Sequence, residues 1–224
     1  ASNAAMPHYI ATNESNLVVN ENAIYLVDSG GQYRDGTTDI TRTIIIGLPS
    51  KEQMDRYTRV LKGLIAISKI NFLLGTKGSE LDPIARKSLQ EINCDYDHGT
   101  GHGVGSFLSV HEGPQRIAKS QHHNDGIIKE GMILSNEPGY YKKGEYGIRI
   151  ENLIICCSLR KNLLFFETIS WAPFDIDLIN ISLLDEEEIQ WINTYHNNVY
   201  IKISPNLKKE EKEWLKTITS TILK

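Results

Sequence analysis

Four carboxylates and one imidazole, Asp28, Asp39, Glu137, Glu151 and His102, each sit inside a short, distinctive motif, and together they restrict what this chain can fold into. The motifs read Tyr25-Leu-Val-Asp-Ser-Gly30, Asp35-Gly-Thr-Thr-Asp-Ile-Thr-Arg42, His98-Gly-Thr-Gly-His-Gly-Val-Gly105, Asn136-Glu-Pro-Gly139 and Gly147-Ile-Arg-Ile-Glu-Asn152. Buried together without cations, four carboxylates repel one another and carry a large desolvation cost. Two divalent ions would neutralise them, so the set predicts a pair of metals. An oxygen-rich donor set suits Mn²⁺ and related ions better than the thiolate-rich sets of structural zinc. A two-metal centre that bridges and deprotonates water is hydrolase machinery.

Composition narrows the alternatives. A chain of 224 residues accommodates one sizeable core with an appendage. The formal net charge is -4, and the lysines are scattered or interleaved with glutamates, as in Lys208-Lys-Glu-Glu-Lys-Glu213, which gives no footprint for nucleic acid. Cys94 and the adjacent Cys156 and Cys157 are an odd set without metal-ligand spacing, so a disulfide framework is not expected and a reducing cytoplasm is. Apolar runs such as Asn152-Leu-Ile-Ile-Cys-Cys157 fall far short of a membrane span. The opening Ala1-Ser-Asn-Ala4 reads as a cloning remnant.

Periodicity places the motifs on elements. Ile24 to Asp28 and Thr37 to Ile46 are rich in β-branched residues around a Gly30-Gly31 to Asp35-Gly36 turn region, which predicts a hairpin. On its second strand Thr37, Asp39, Thr41 and Thr43 share a polar face, and Ile40, Ile44 and Ile46 share an apolar face expected to pack on helices. Ser50 with Gln53 forms a capping box for a helix to about Leu74, ended by Gly75. Asp82 followed by Pro83 predicts the start of a second helix running to about Ile92. Met132 to Asn136 and Gly147 to Cys157 read as a strand pair, with Leu163 to Trp171 as a further strand. Asp185 and Glu188 open another helix, with Leu184 and Ile189 as its hydrophobic staple. A final helix is expected to carry Trp214, Leu215, Ile218 and Ile222 on one stripe. Two carboxylate-bearing strand pairs separated by helices suggest a pseudo-symmetric sheet with the metals between its halves.

In this order the five motifs resemble the pita-bread metallopeptidases, and their wording is most similar to the Xaa-Pro aminopeptidases, the aminopeptidase P family. The likeness runs from about His8 to the end of the chain, and the His98 to Gly105 segment followed by Val110-His-Glu-Gly-Pro114 is its most specific part. It implies an α+β pita-bread fold, a curved, pseudo-symmetric, largely antiparallel sheet with helices outside. The expected layout is a catalytic domain over 5–172, truncated at its N-terminus relative to the family, and a C-terminal helical extension over 173–224.

The resemblance also implies roles. Asp28 would chelate one metal, His102 and Glu137 the other, and Asp39 and Glu151 would bridge both, with Mn²⁺ the leading ion and Co²⁺ or Zn²⁺ as alternatives. A bridging hydroxide would attack the bond before a proline at the second position of a peptide. Glu137 would shuttle the proton and His111 stabilise the oxyanion, while His8, His98 and His111 match the family's substrate-side histidines. A cytoplasmic homodimer is the implied assembly, with no nucleic-acid or membrane partner. The alternatives are a prolidase, a methionine aminopeptidase, or a non-catalytic pita-bread binding module that has lost its ligands.

Some residues remain open on spacing alone. Arg149, two residues before Glu151, either orients the ligand network with Tyr141 as partner or is an ordinary surface arginine. His98 and His102 are four apart, but Gly99, Gly101 and Gly103 argue against a helix and predict an extended segment whose glycines admit substrate close to the backbone. His122 and His123 read as a surface loop. Ser29, Ser106 and the cysteines lack the context of a nucleophile.

Overall fold

Residues 12–107, 109–119 and 126–223 are described by the computed structural model of the chain. The two β-branched runs form an antiparallel hairpin, β1 (Ala23–Tyr33) and β2 (Gly36–Ile46), in a register that sets Asp28 opposite Thr41 and Gly30 opposite Asp39. Both strands are longer than expected: pairing continues through Gly30 and Gly31, and the turn shrinks to Arg34 and Asp35. The faces of β2 also depart from expectation. Asp39, Thr41 and Thr43 are buried, whereas Ile40, Ile44 and Ile46 are only half-buried. The polar face can be buried because its hydroxyls find partners: Thr43 Oγ1 donates to the Arg149 carbonyl at 2.8 Å and accepts from the Arg149 N–H at 3.0 Å.

Ser50 caps α1 (Lys51–Lys69) with the expected box, Ser50 Oγ accepting from the Gln53 N–H and Gln53 Oε1 from the Ser50 N–H. The helix stops at Lys69 rather than Leu74, because Asn71–Leu73 form β3 and pair with a strand some ninety residues later. The second helix, α2 (Gly78–Gln90), starts before Asp82, with Glu80 bonded back to the Lys77 N–H. Asp82 is no cap. Its carboxylate is bound from within the helix by Arg86, one turn on.

Next come β4 (Gly101–His102), β5 (Arg116–Ile117), β6 (Ile133–Asn136), β7 (Gly139–Lys142), β8 (Tyr146–Arg149), β9 (Asn152–Arg160) and β10 (Leu163–Thr168). An antiparallel sheet runs β3-β10-β9-β6, and β4 pairs with β5 and β7 with β8. The strand expected over Gly147 to Cys157 is broken at Ile150 and Glu151, where the chain changes partner from β7 to β6. At that break the Glu151 N–H donates to the Thr41 carbonyl at 3.0 Å, which joins the hairpin to the larger sheet.

Asp185 and Glu188 form the predicted capping box of α3 (Glu186–Ile203), and α4 (Lys209–Ile218) follows. Both pack into one apolar core with α1, Ile24 and Ile148, to which α3 contributes Ile192, Tyr195 and Val199 and α4 contributes Leu215; Ile222, expected on the same helical stripe, lies past the end of α4 at Ile218 and reaches that core from the tail. Trp214 does not join that stripe. It is 59% exposed, because a short helix with Leu215 against the core turns its neighbour outward. Among the described residues no helix is long and apolar enough to cross a membrane.

His196 on α3 is fully buried against Phe174, and its Nε2 accepts the Phe174 N–H at 3.1 Å. Burial, then the nearby Arg42 charge, pushes its pKa down from 6.5 to about 4. A histidine held neutral in the folded state contributes stability above pH 6.5 that is lost as pH falls towards 4, where the unfolded chain takes up the proton first. Chemical denaturation of the wild type and of His196→Gln should therefore diverge on acidification over that window, by up to about 3 kcal/mol. Parallel curves would show that His196 protonates freely inside the fold.

Candidate metal centre

Strand alternation and one chain break bring the predicted ligands to the seam where the hairpin meets the larger sheet. Asp28 and Asp39 project from paired strands, His102 from β4, Glu137 from just past β6, and Glu151 from the break between β8 and β9. They line a cavity of about 290 Å³ together with His111. Donor atoms of Asp39, His102 and Glu151 lie within 4.8 Å of one another. His102 Nε2 is 3.2 Å from Glu137 Oε1 and 3.5 Å from Asp39 Oδ2. Asp28 stands slightly apart, its Oδ2 2.7 Å from Arg149 Nη2.

Arg149 is 3% exposed, which removes the surface reading left open by its spacing. It reaches Asp28, donates from Nη1 to the Tyr141 hydroxyl at 3.0 Å and from Nε to Thr41 Oγ1 at 3.2 Å, and lies 3.8 Å from Glu137. Thr41 Oγ1 in turn donates to Glu151 Oε2 at 2.7 Å. Ser135 Oγ accepts the His102 N–H at 2.9 Å and donates to Glu137 Oε1 at 3.0 Å. Thr41 and Ser135 were not singled out from sequence, yet each stands two residues from a ligand on the same strand face, a signal that alternation supplies.

The charge balance shows what the cluster lacks. Burial first, then the Glu137 and Asp39 charges, hold the Glu151 carboxyl well above the usual range. Burial pushes Glu137 up to about 7 against the opposing pull of His102 and Arg149. For His102 burial works to lower the pKa, but Asp39, Glu137 and the Gly103 carbonyl raise it to about 9. Both carboxyls and the imidazole are thus shifted towards their protonated forms, positive charge that a divalent ion would supply instead. A divalent ion fits: Glu151 Oε1 is buried without a hydrogen-bond partner among the described residues. His102 Nδ1 is engaged by the Gly103 carbonyl at 3.0 Å, so loss of the Nε2 proton turns a lone pair onto the carboxylates. Oxygen donors with one imidazole suit a hard divalent ion.

His98 joins the cluster indirectly. Its Nδ1 lies 2.7 Å from the Gly99 carbonyl and so carries a proton, leaving Nε2 to accept the Tyr141 hydroxyl at 2.8 Å. His111 is exposed at the cavity, its ring centroid 4.2 Å from that of His102. His8, His122 and His123 lie outside the described residues. The glycines of the His98 to Gly105 segment serve the chain itself rather than a substrate: a Cβ at Gly101 would sit 2.0 Å from the Ser135 carbonyl oxygen, and one at Gly103 1.9 Å from that of Glu112. The segment is extended as predicted.

The sequence model of metallopeptidase family M24 matches residues 1–157, and that of the C-terminal region of the same family matches residues 162–222. The chain belongs to metallopeptidase family M24. Its M24 relatives include aminopeptidase P1 of Arabidopsis thaliana, 42% identical over 228 residues that make up 99% of this chain and 35% of that protein. Among solved structures, the X-prolyl aminopeptidase of Caenorhabditis elegans, described as a cytosolic enzyme with a di-nuclear active site, superposes with a TM-score of 0.93 at 38% identity, covering 99% of this chain and 37% of that one. A prolidase from Pyrococcus furiosus gives a TM-score of 0.63 at 30% identity over 75% of this chain and 47% of its own. The fold is thus the α+β pita-bread fold of M24 peptidases, and the chain spans a little over a third of the length of the aminopeptidases it matches.

The pKa directions fix how metal-free protein should respond to pH. A carboxyl raised from 4.5 to about 7, as in Glu137, destabilises the fold progressively as pH rises through that range. A histidine raised from 6.5 to about 9, as in His102, adds stability below 6.5 that is lost as pH rises through 9. Chelator-treated protein should therefore lose stability from pH 6.5 to 9, and Mn²⁺ binding should tighten over the same window with net proton release. Thermal unfolding and calorimetry in buffers of different ionisation enthalpy check this. Stability rising with pH between 6.5 and 9 in the metal-free protein would contradict it.

Proposed function

We propose that the protein is a metal-dependent aminopeptidase that hydrolyses the bond between an N-terminal residue and a following proline. The observation that carries this reading is the cluster of Asp39, His102 and Glu151, in which Glu151 Oε1 is buried without a hydrogen-bond partner among the described residues. In this reading Asp28, Asp39, His102, Glu137 and Glu151 would hold two divalent ions, Asp39 and Glu151 would serve both, and Mn²⁺ is the ion that best suits the oxygen-rich set. When bound, the ions neutralise the carboxylates, polarise the scissile carbonyl and acidify the attacking water.

The chain's own groups do the rest. Glu137 takes the proton of the attacking water on a carboxylate oxygen and delivers it to the departing proline nitrogen, which has no proton of its own as an amide. His111, exposed beside His102, donates to the oxyanion. His98 acts through Tyr141, whose hydroxyl it shares with Arg149, and so steadies the wall that holds Asp28 and Glu137. His8 belongs to the substrate side of the same reading. Residues 5–172 form the catalytic unit and 173–224 its extension. Match coverage of 99% with the aminopeptidase against 75% with the prolidase supports the aminopeptidase choice. The cytosolic description of the Caenorhabditis elegans relative supports a cytoplasmic location, and a homodimer of the intact protein completes the proposal.

Selecting proline requires a site that accommodates a tertiary amide without an amide hydrogen bond. Mn²⁺-loaded protein should cleave Xaa-Pro-Yaa tripeptides with a kcat/KM roughly 10–100-fold above that for Xaa-Ala-Yaa. It should also prefer them to Xaa-Pro dipeptides. Faster hydrolysis of the dipeptide would make the protein a prolidase, and hydrolysis of neither with metal bound would make it a binding module.

A further inference from the structure

Arg42 is buried between the metal-centre strands and the C-terminal segment, and each of its five N–H groups has an acceptor. Nη1 donates to the Thr41 carbonyl at 2.8 Å and, by a short bond, to the Glu151 carbonyl. Nη2 faces Asn152 Oδ1 at 2.7 Å, the Ala172 carbonyl at 2.8 Å and the Tyr195 hydroxyl at 2.9 Å, and Nε donates to the Pro173 carbonyl at 3.1 Å. One rigid fork thus ties the strand of Asp39 and Thr41 to the break that carries Glu151, and fastens both to α3 and the segment leading to it.

Tyr195 sets the plane of that fork. Its ring is stacked with Trp191, centroids 5.4 Å apart, and with Phe174, centroids 4.5 Å apart, and Arg42 Cζ lies 4.9 Å from the Phe174 centroid. The Tyr195 hydroxyl accepts from Arg42 Nη2 and the Ala172 N–H and lies 2.9 Å from the Ala172 carbonyl. Above it, Thr41 Oγ1 holds Glu151 Oε2, and the Thr41 carbonyl accepts the Glu151 N–H as well as Arg42. The guanidinium therefore adds a second tie beside the direct Thr41–Glu151 bonds between the strand of Asp39 and the break that carries Glu151.

We propose that Arg42 and Tyr195 are positioning residues for Glu151 and Asp39, so that the C-terminal extension is part of the support of the metal centre rather than an appendage to it. This rests on reading those two carboxylates as the shared metal ligands. Groups that orient ligands from behind change metal affinity by about 10–100-fold when altered. Tyr195→Phe keeps the stack and removes only the hydroxyl, and Arg42→Lys keeps the charge and loses the fork.

The test is calorimetric titration of Mn²⁺ into chelator-treated protein, at a temperature where circular dichroism shows every variant folded. Glu151→Gln and a core control, Val199→Ala on α3, are titrated alongside. Tyr195→Phe and Arg42→Lys should each weaken Mn²⁺ binding by roughly 10–100-fold, whereas Val199→Ala should lower the unfolding temperature and leave affinity unchanged. Should Arg42→Lys fail to fold, Tyr195→Phe decides alone. Wild-type affinity in Tyr195→Phe, or equal weakening in Val199→Ala, would overturn the inference while Glu151→Gln still lost metal. Unchanged binding in Glu151→Gln would instead overturn the ligand assignment, and the inference with it.

Discussion

Asp39, Glu137 and Glu151 cannot all carry negative charge side by side in a buried seam, and much of the surrounding structure is arranged about that repulsion. Arg149 offsets part of it by reaching Asp28, Glu137 and, through Thr41, Glu151. Burial, and for Glu151 then the neighbouring charges, raises the Glu137 and Glu151 carboxyls, and for His102 Asp39 and Glu137 outweigh the opposing effect of burial. An arrangement that keeps carboxylates together at such a cost makes physical sense when cations repay it.

The fold supplies the geometry in layers. Of the five candidate ligands two come from a hairpin, His102 from β4 and two from turns at the ends of strands in another sheet, and the Glu151 N–H to Thr41 carbonyl bond marks where hairpin and sheet meet. Ser135 and Thr41 fix individual ligand oxygens, Arg149 and Tyr141 connect them to His98, and Arg42 holds the strands themselves. Behind these lie two apolar clusters, one shared by α1, α3 and the last residues of the chain and the other holding Leu134 and Ile117 beneath the strands of Ser135 and His102. Because the C-terminal helices enter the first of these and Tyr195 on α3 bonds Arg42, the seam that carries the candidate ligands and the extension share one hydrogen-bonded and apolar frame.

What could be read from sequence was local chemistry. Asp28, Asp39, His102, Glu137 and Glu151 stand out as candidates because each sits inside a short motif and the five motifs occur together, and the Ser50 and Asp185 caps because a cap is settled within four residues. Misreadings came where distant partners decide. Asn71–Leu73 leaves the helical pattern only because β10 pairs with it. Asp82 resembles a cap until Arg86 claims it. The buried polar face of β2 depends on acceptors from Arg149 and Glu151, more than a hundred residues on. The glycines of the histidine segment looked like room for substrate, and their neighbours turned out to be the backbone of Ser135 and Glu112. Nothing in the spacing of Arg42 or Tyr195 announced that they would meet.

The central claim is that this cluster of carboxylates is built for two cations. The direct measurement is to strip the protein with chelator, reconstitute it with excess Mn²⁺, remove unbound ion by gel filtration and count manganese per folded chain by elemental analysis. About two ions per chain is the expected result. One ion or none, retained by protein shown to be folded, would contradict it.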